Sequence, residues 1–155
     1  MTNKLPDDIK QQCLAIVRGH DRRLKWYNAE RQNILNSSSA GYTNYVDNGV
    51  ECRQYHVPLN DRISDIPYIK TLQLEKLDKS IKAQYIRIVE NAKLNIGVGL
   101  NKKSREKLIK AIMLNCKAGR QFPYERLDAG KISRSAFFRN RDKFLYEIAN
   151  CLQIV

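Results

Sequence analysis

From Pro6 to about Asn36, apolar residues recur at positions 9, 13, 16, 17, 24, 27 and 34. This is the three-and-four spacing that lays one stripe along a helix. Pro6 stands in the first turn, where its missing N–H costs nothing, and Asp7 and Asp8 complement the positive end of the helix dipole. A helix of about 30 residues is a rod of about 45 Å, and one rod cannot bury its own stripe. The stretch from about Ile66 to Ile96 offers a mate of matching length. Ile69, Leu72, Leu77, Ile81, Tyr85, Ile88, Ala92 and Ile96 share one of its faces, and Ser64 or Asp65 can cap its start. The spacing predicts a mainly α fold built on a long antiparallel helical hairpin.

An insertion over residues 37–60, rich in Ser, Tyr and Asn, joins the two rods. Asn48-Gly49 within it suits a type I′ turn, which needs positive φ at both central residues, and β-formers flank it. This predicts a small β-hairpin near residues 42–57, with a loop as the competing reading because two isolated strands are marginal in water. After the second rod comes "NIGVGLN". It lacks the third glycine of a phosphate-binding fingerprint and comes after a helix instead of a strand, so it reads as a hinge. The chain therefore divides into a helical hairpin, 1–98, and a C-terminal unit, 99–155. At 155 residues it is long enough to bury its own core.

Charge points to the partner. There are 28 Lys and Arg against 16 Asp and Glu, a net charge of +12. Residues 1–100 hold 15 basic and 11 acidic side chains, and residues 101–155 hold 13 and 5. Such an excess calls for an acidic partner, most often nucleic acid, with an anionic membrane surface or an acidic protein as alternatives. The first ten residues are too polar for a secretory signal, and the longest apolar runs, "LAIV" and "AIML", fall far short of the roughly 20 residues that span a bilayer. A cytoplasmic, reduced protein is expected. Cys13, Cys52, Cys116 and Cys151 form no C-x-x-C pair and have no nearby histidine, which argues against a metal site. Cys13, Cys116 and Cys151 sit among Ile and Leu at helical spacing and read as small core residues. His20 and His56 have no sequence-local partner of a triad, and the acidic pairs Asp7/Asp8 and Glu125/Asp128 lie at helix starts. No catalytic group, and hence no enzyme or cofactor, is expected. His20 falls on the apolar stripe and reads as a hydrogen-bonded core or rim residue.

The C-terminal unit begins with a helix from about Lys102 to Ala118, with Leu108, Ile109, Ile112, Met113 and Cys116 inward and Gly119 as a left-handed cap. Seven basic residues in 102–120 face one acid, Glu106. Four crowd the helix start, where the dipole disfavours cations by a few tenths of a kcal/mol each. A phosphate backbone would compensate, which makes Lys102, Lys103, Lys107 and Arg120 candidate phosphate contacts. The plainer alternative is a solvated charged face. Pro123 then opens a helix of about two turns, Leu127 points inward, Gly130 turns the chain, and Ser133 caps a new helix. That order is a helix-turn-helix. On the last helix, positions 137, 144, 145, 148, 151 and 152 form a core face of Phe, Phe, Leu, Ile, Cys and Leu. Ser133, Arg134, Ser135, Phe138 and Arg139 lead it on the opposite side, with Lys131 before them and Lys143 a turn later. The leading residues of such a helix enter the major groove of double-stranded DNA, where arginines reach guanine or phosphate and phenylalanine reaches thymine methyls. Packing of Phe138 on the preceding short helix is the competing reading. Arg141 and Asp142 read as a surface pair.

Three stretches, "LPDDIKQQCLAIVRGHDRRLKWYNAERQNIL", "KAIMLNCKAGRQFPYERL" and "ISRSAFFRNRDKFLYEIANCLQIV", carry a likeness to a known family. The chain resembles the phage-encoded transcriptional regulators of the RinA/ArpU type, whose C-terminal half resembles the fourth region of sigma factors. The Ile-Ser, Phe-Phe-Arg and Lys-Phe-Leu-Tyr elements are its most specific part. The resemblance implies sequence-specific DNA binding and control of phage gene expression, borne here by Ser133, Arg134, Ser135, Phe138 and Arg139. The Tyr-rich region from Tyr42 to Val57 has no counterpart in it. A second class of function is a protein-interaction module, in which the helical hairpin holds RNA polymerase or a second copy as a homodimer and the basic end touches DNA loosely. Trp26, off the main stripe, motivates it, although a second core face covered by the C-terminal unit also accounts for this residue.

Overall fold

A computed structural model describes residues 4–37, 42–55 and 66–155, and in them each of the two expected rods is broken near its middle. The first divides at Gly19 into α1 (Asp7–Arg18) and α2 (His20–Asn36). Backbone bonding continues through the joint: Gly19 N–H donates to the Ala15 carbonyl (3.2 Å) and Arg23 N–H to the Gly19 carbonyl (3.1 Å). The Arg23 guanidinium turns back and donates to the Ile16 carbonyl, satisfying one of the groups that a helix end leaves bare. A Cβ on Gly19 would stand 2.5 Å from Arg23 Nη1, so the missing side chain makes room for this cap. The second rod divides into α3 (Ile66–Asp78) and α4 (Ile81–Leu94). Ser80 Oγ accepts from Ala83 N–H at 3.2 Å and starts α4 as an ordinary N-cap. The expected cap at Ser64 or Asp65 lies outside the described residues.

These breaks decide the organisation. The chain forms two compact units, residues 1–23 with 84–155, and residues 24–83. The expected division after residue 98 falls inside the first of them. In the smaller unit, α2 and α3 run antiparallel, tied by Tyr27 OH donating to Asp78 Oδ1 (2.6 Å) and Lys70 Nζ to the Leu35 carbonyl (3.0 Å). The helical hairpin thus forms from the inner halves of the rods. Strands β1 (Tyr42–Asp47) and β2 (Val50–Tyr55) pair antiparallel, Tyr42 with Tyr55 through Asp47 with Val50. Asn48 (φ 49°) and Gly49 (φ 80°) make the left-handed two-residue turn that their sequence called for. Trp26 is half-buried, with the Lys82 ammonium 4.3 Å above its ring, so its cover comes from within its own unit.

In the larger unit, α1 packs mainly on α5 (Lys102–Ala118) and α6 (Arg134–Cys151). One core joins Cys13 and Val17 of α1, Val89 and Ile96 from α4 and the turn that ends it, Leu108 and Ile112 of α5, and Phe137, Phe144 and Ile148 of α6. Each large side chain so buried contributes about 1.5–3 kcal/mol. The buried face of α4 is Ile86, Val89 and Ala92, continuing to Ile96, not the expected stripe through Ile81, Tyr85 and Ile88. Ile69, Leu72 and Ile81 are exposed, at 39, 46 and 66%. A stripe drawn across Ser80 assumes a continuous helix; the break there resets the phase. Two further corrections concern helix ends. Gly119 ends α5 with right-handed φ −55°, not as a left-handed cap, and Cys151, placed on the core face by its spacing, is exposed in the last turn of α6. The 95–101 segment is also firmly tied. Gly97 is buried and its N–H meets Asn140 Oδ1 (3.4 Å), while Arg105 donates from Nε to the Ile96 carbonyl (2.9 Å) and from Nη2 to the Leu94 carbonyl. One of the seven cations in residues 102–120 is therefore employed in capping α4.

Candidate nucleic-acid interface

The surface around the start of α6 is assembled by the 15 residues that separate it from α5. Asn115, 7% exposed, donates from Nδ2 to the Phe122 carbonyl (3.0 Å), folding the chain back as α5 ends. Pro123 then opens a single 3₁₀ turn, Tyr124–Arg126, where two turns of helix were expected. The next three residues supply the reason. Leu127 is extended (φ −101°, ψ 139°) and packs on the core, and Ala129 is buried, so the chain leaves helical conformation to bring both side chains inward. The first helix of the expected helix-turn-helix is reduced to that turn. Gly130 adopts φ 77°, and its N–H donates to Asp128 Oδ1 (3.3 Å). Tyr124 OH donates to the Ile132 carbonyl (2.6 Å), locking the turn immediately before the cap. Ser133 is that cap: its Oγ accepts from Ala136 N–H at 3.3 Å.

The structure places the sequence-derived candidates on different surroundings. Lys131, Ser133, Ser135, Arg139 and Lys143 are exposed. Among the described residues Lys131, Arg139 and Lys143 make no ion pair. Arg134 is exposed but engaged: Nη1 lies 2.7 Å from Glu125 Oε1, and its guanidinium carbon lies 5.8 Å from the centre of the Phe138 ring. Phe138 is half-buried, 6.5 Å from the Tyr124 ring and 5.3 Å edge-on from Phe137. It therefore packs on the preceding turn, the competing arrangement for this residue. Lys102, Lys103 and Arg120 are exposed, whereas Lys107 Nζ holds Asp128 Oδ2 at 2.9 Å. That ammonium, with the Gly130 N–H, keeps the Asp128 carboxyl below its ordinary value.

Several neighbours are invisible in the sequence. Arg141 is no surface pair. Its side chain is 19% exposed, Nη1 donates to Asn115 Oδ1 (3.1 Å), and its guanidinium lies 4.8 Å from the Phe138 ring centre. Its contact with Asp142 (3.3 Å) is the lesser part, and its Nε is buried without a partner among the described residues. Asn115 stands 26 residues away, so no local pattern could reveal it. Between α1, the end of α5, the 3₁₀ turn and α6 lies a cleft of about 310 Å³ that Arg18, Arg134 and Arg141 all line, with Tyr124, Glu125 and Phe138. Burial pushes the Cys116 thiol beside it up to about 12, which leaves it protonated and unreactive at neutral pH.

Among the described residues no group of three or more His, Cys, Asp or Glu is placed to hold a metal, and no helix is long and apolar enough to cross a membrane. Comparison with protein-family models, with curated proteins and with solved structures finds no match.

Proposed function

We propose that the chain is a sequence-specific regulator of transcription that binds double-stranded DNA through the exposed side of α6, as its resemblance to the RinA/ArpU regulators implies. The observation that carries this reading is the leading end of α6, where Ser135, Arg139 and Lys143 stand open to solvent behind the N-cap Ser133. The charge of the larger unit agrees: it holds 20 basic and 9 acidic side chains, a net +11. Arg139 reads a base edge, Lys131 and Lys143 meet phosphates beside it, and Lys102 and Lys103 extend the cationic surface along α5. Arg134 joins them only when it leaves Glu125. The experiment is selection of bound sites from random DNA, followed by titration of Arg139→Ala against the selected and a random duplex. A loss of about 1 to 3 kcal/mol on the selected site alone is expected. Equal losses on both duplexes would reduce Arg139 to a phosphate contact, and failure to enrich any site would remove the reading.

A second role, protein assembly, is favoured by the smaller unit. It carries 8 basic and 7 acidic side chains, a net +1, and exposes Leu35, Tyr68, Ile69 and Leu72 on α2 and α3. Such a surface suits self-association more than contact with a polyanion. The mass in solution should fall from dimer to monomer on Leu72→Asp; a wild type already monomeric would leave RNA polymerase as the protein to test for capture.

A further inference from the structure

The cleft beside Phe138 combines features that the α6 surface alone does not explain. Three guanidinium groups reach it from two helices, Arg18 from the last turn of α1 and Arg134 and Arg141 from α6. Its aromatic wall is fixed: the Phe138 ring sits under both α6 arginines, and Tyr124 is held by its bond to the Ile132 carbonyl. Asn115 in turn fixes the Arg141 fork, so the cation is preorganised before anything binds. Against these stand two carboxylates, Glu125 on Arg134 and Asp142 on Arg141, and the C-terminal ends of α1 and α5, each worth about half a negative charge. At rest these offset the three guanidinium charges, and Glu125, an exposed carboxylate on an exposed arginine, is the offset that an anion can replace.

We infer that this cleft binds a phosphoryl group, either of the DNA backbone or of a free phosphate compound. A planar carboxylate satisfies one guanidinium fork, whereas the oxygens of a phosphoryl group, spread over a tetrahedron, can accept from Arg18, Arg134 and Arg141 together. The cleft volume, about 310 Å³, lies at the lower end of small-ligand sites. Glu125 is the competitor for Arg134, so an incoming phosphoryl group displaces a carboxylate 2.7 Å away. The backbone source deepens the DNA reading and rests on it; the free source does not.

Two variants of the intact chain test the site. Arg18 is exposed and has no partner among the described residues, so Arg18→Ala should leave the fold in place; Glu125→Gln keeps the volume and removes the competing charge. If the phosphoryl group belongs to DNA, Arg18→Ala weakens selected and random duplexes alike by about tenfold and flattens the salt slope by about one, and Glu125→Gln tightens both. If it belongs to a free compound, inorganic phosphate raises the wild-type melting temperature above sodium chloride of equal ionic strength, Arg18→Ala abolishes that rise, and duplex affinity is unchanged. A wild type that binds no duplex but responds to phosphate would sink the regulator and keep the site. An Arg18→Ala protein that matches wild type in both assays, or a Glu125→Gln protein that binds more weakly, overturns the inference.

Discussion

His20, which its place on the apolar stripe marks as a hydrogen-bonded core or rim residue, is buried and bonded in the larger unit. Its ring is 2% exposed, and Nε2 lies 2.7 Å from Glu90 Oε1, while Lys93 Nζ donates to both Glu90 oxygens at 3.0 Å. Nδ1 is buried without a partner among the described residues. A neutral ring donating from Nε2 to Glu90 leaves only a lone pair unsatisfied there; a charged ring would bury an N–H with no acceptor. Burial accordingly lowers the His20 value, against the opposing pull of Glu90 and Asp21 and with the help of Lys93. For Glu90 burial works upward, yet the bonds from Lys93 and His20 outweigh it and hold the carboxyl low. Both shifts act in one direction on stability. A group that protonates more readily in the unfolded chain contributes stability above its unfolded value and loses it as pH falls toward the folded one. For His20 the loss begins near pH 6.5, its ordinary value, and for Glu90 and Asp21 it begins near pH 4. Urea midpoints should therefore drop in two stages on acidification. His20→Gln should lack the first stage, and a midpoint in that variant that still declines between pH 6.5 and 5 would assign the effect to another group.

Among the helices and strands, what was legible came from contacts close in sequence. Asn48-Gly49 dictated a turn, and Ser133 dictated a cap, because both act through backbone atoms within three residues. Phe137, Phe144, Leu145 and Ile148 were correctly assigned to the core because α6 is unbroken from Arg134 to Cys151 and its phase holds throughout. The rods failed for the complementary reason. The periodic stripes run past Gly19 and Ser80, and the rods were drawn from the stripes alone. In α1 the stripe holds, with Cys13 and Val17 buried, whereas across Ser80 both continuity and phase are lost, and Ile69, Leu72 and Ile81 are exposed. The partner helix was also beyond reach, because whether α1 meets α4 or α5 and α6 depends on where the break turns the chain. Around α6 the exposed cations could be read from helical phase. The Arg141–Asn115 bond, the Glu125–Arg134 pair and the contribution of Arg18 could not, since they join elements that only the folded turn between Phe122 and Ser133 brings together.

Taken whole, the molecule concentrates its charge: nearly the entire excess of +12 lies in the larger unit, and the smaller one is close to neutral. Among the described residues of the larger unit, Lys and Arg pair with Asp21, Glu90, Glu125, Asp128 and Asp142, five of its nine acidic side chains. Most of the participating groups are substantially exposed, and such pairs are worth about 0 to 1 kcal/mol each. The other side of the balance is repulsion among 20 cations that only nine anions offset. It acts over the whole unit, because the Debye length is about 30 Å at 0.01 M salt and about 10 Å at 0.1 M. Screening thus removes more repulsion than attraction, and sodium chloride should stabilise the free protein. Between 0.01 and 0.3 M salt the melting temperature should rise by several degrees, at about 2 to 4 °C for each kcal/mol in a domain of this size. The same salt should weaken a DNA complex, since the charges that repel one another in the free chain are those a phosphate backbone neutralises. A melting temperature that falls with salt would mean that the ion pairs outweigh the repulsion, and would remove the physical reason for expecting a polyanion to bind this unit.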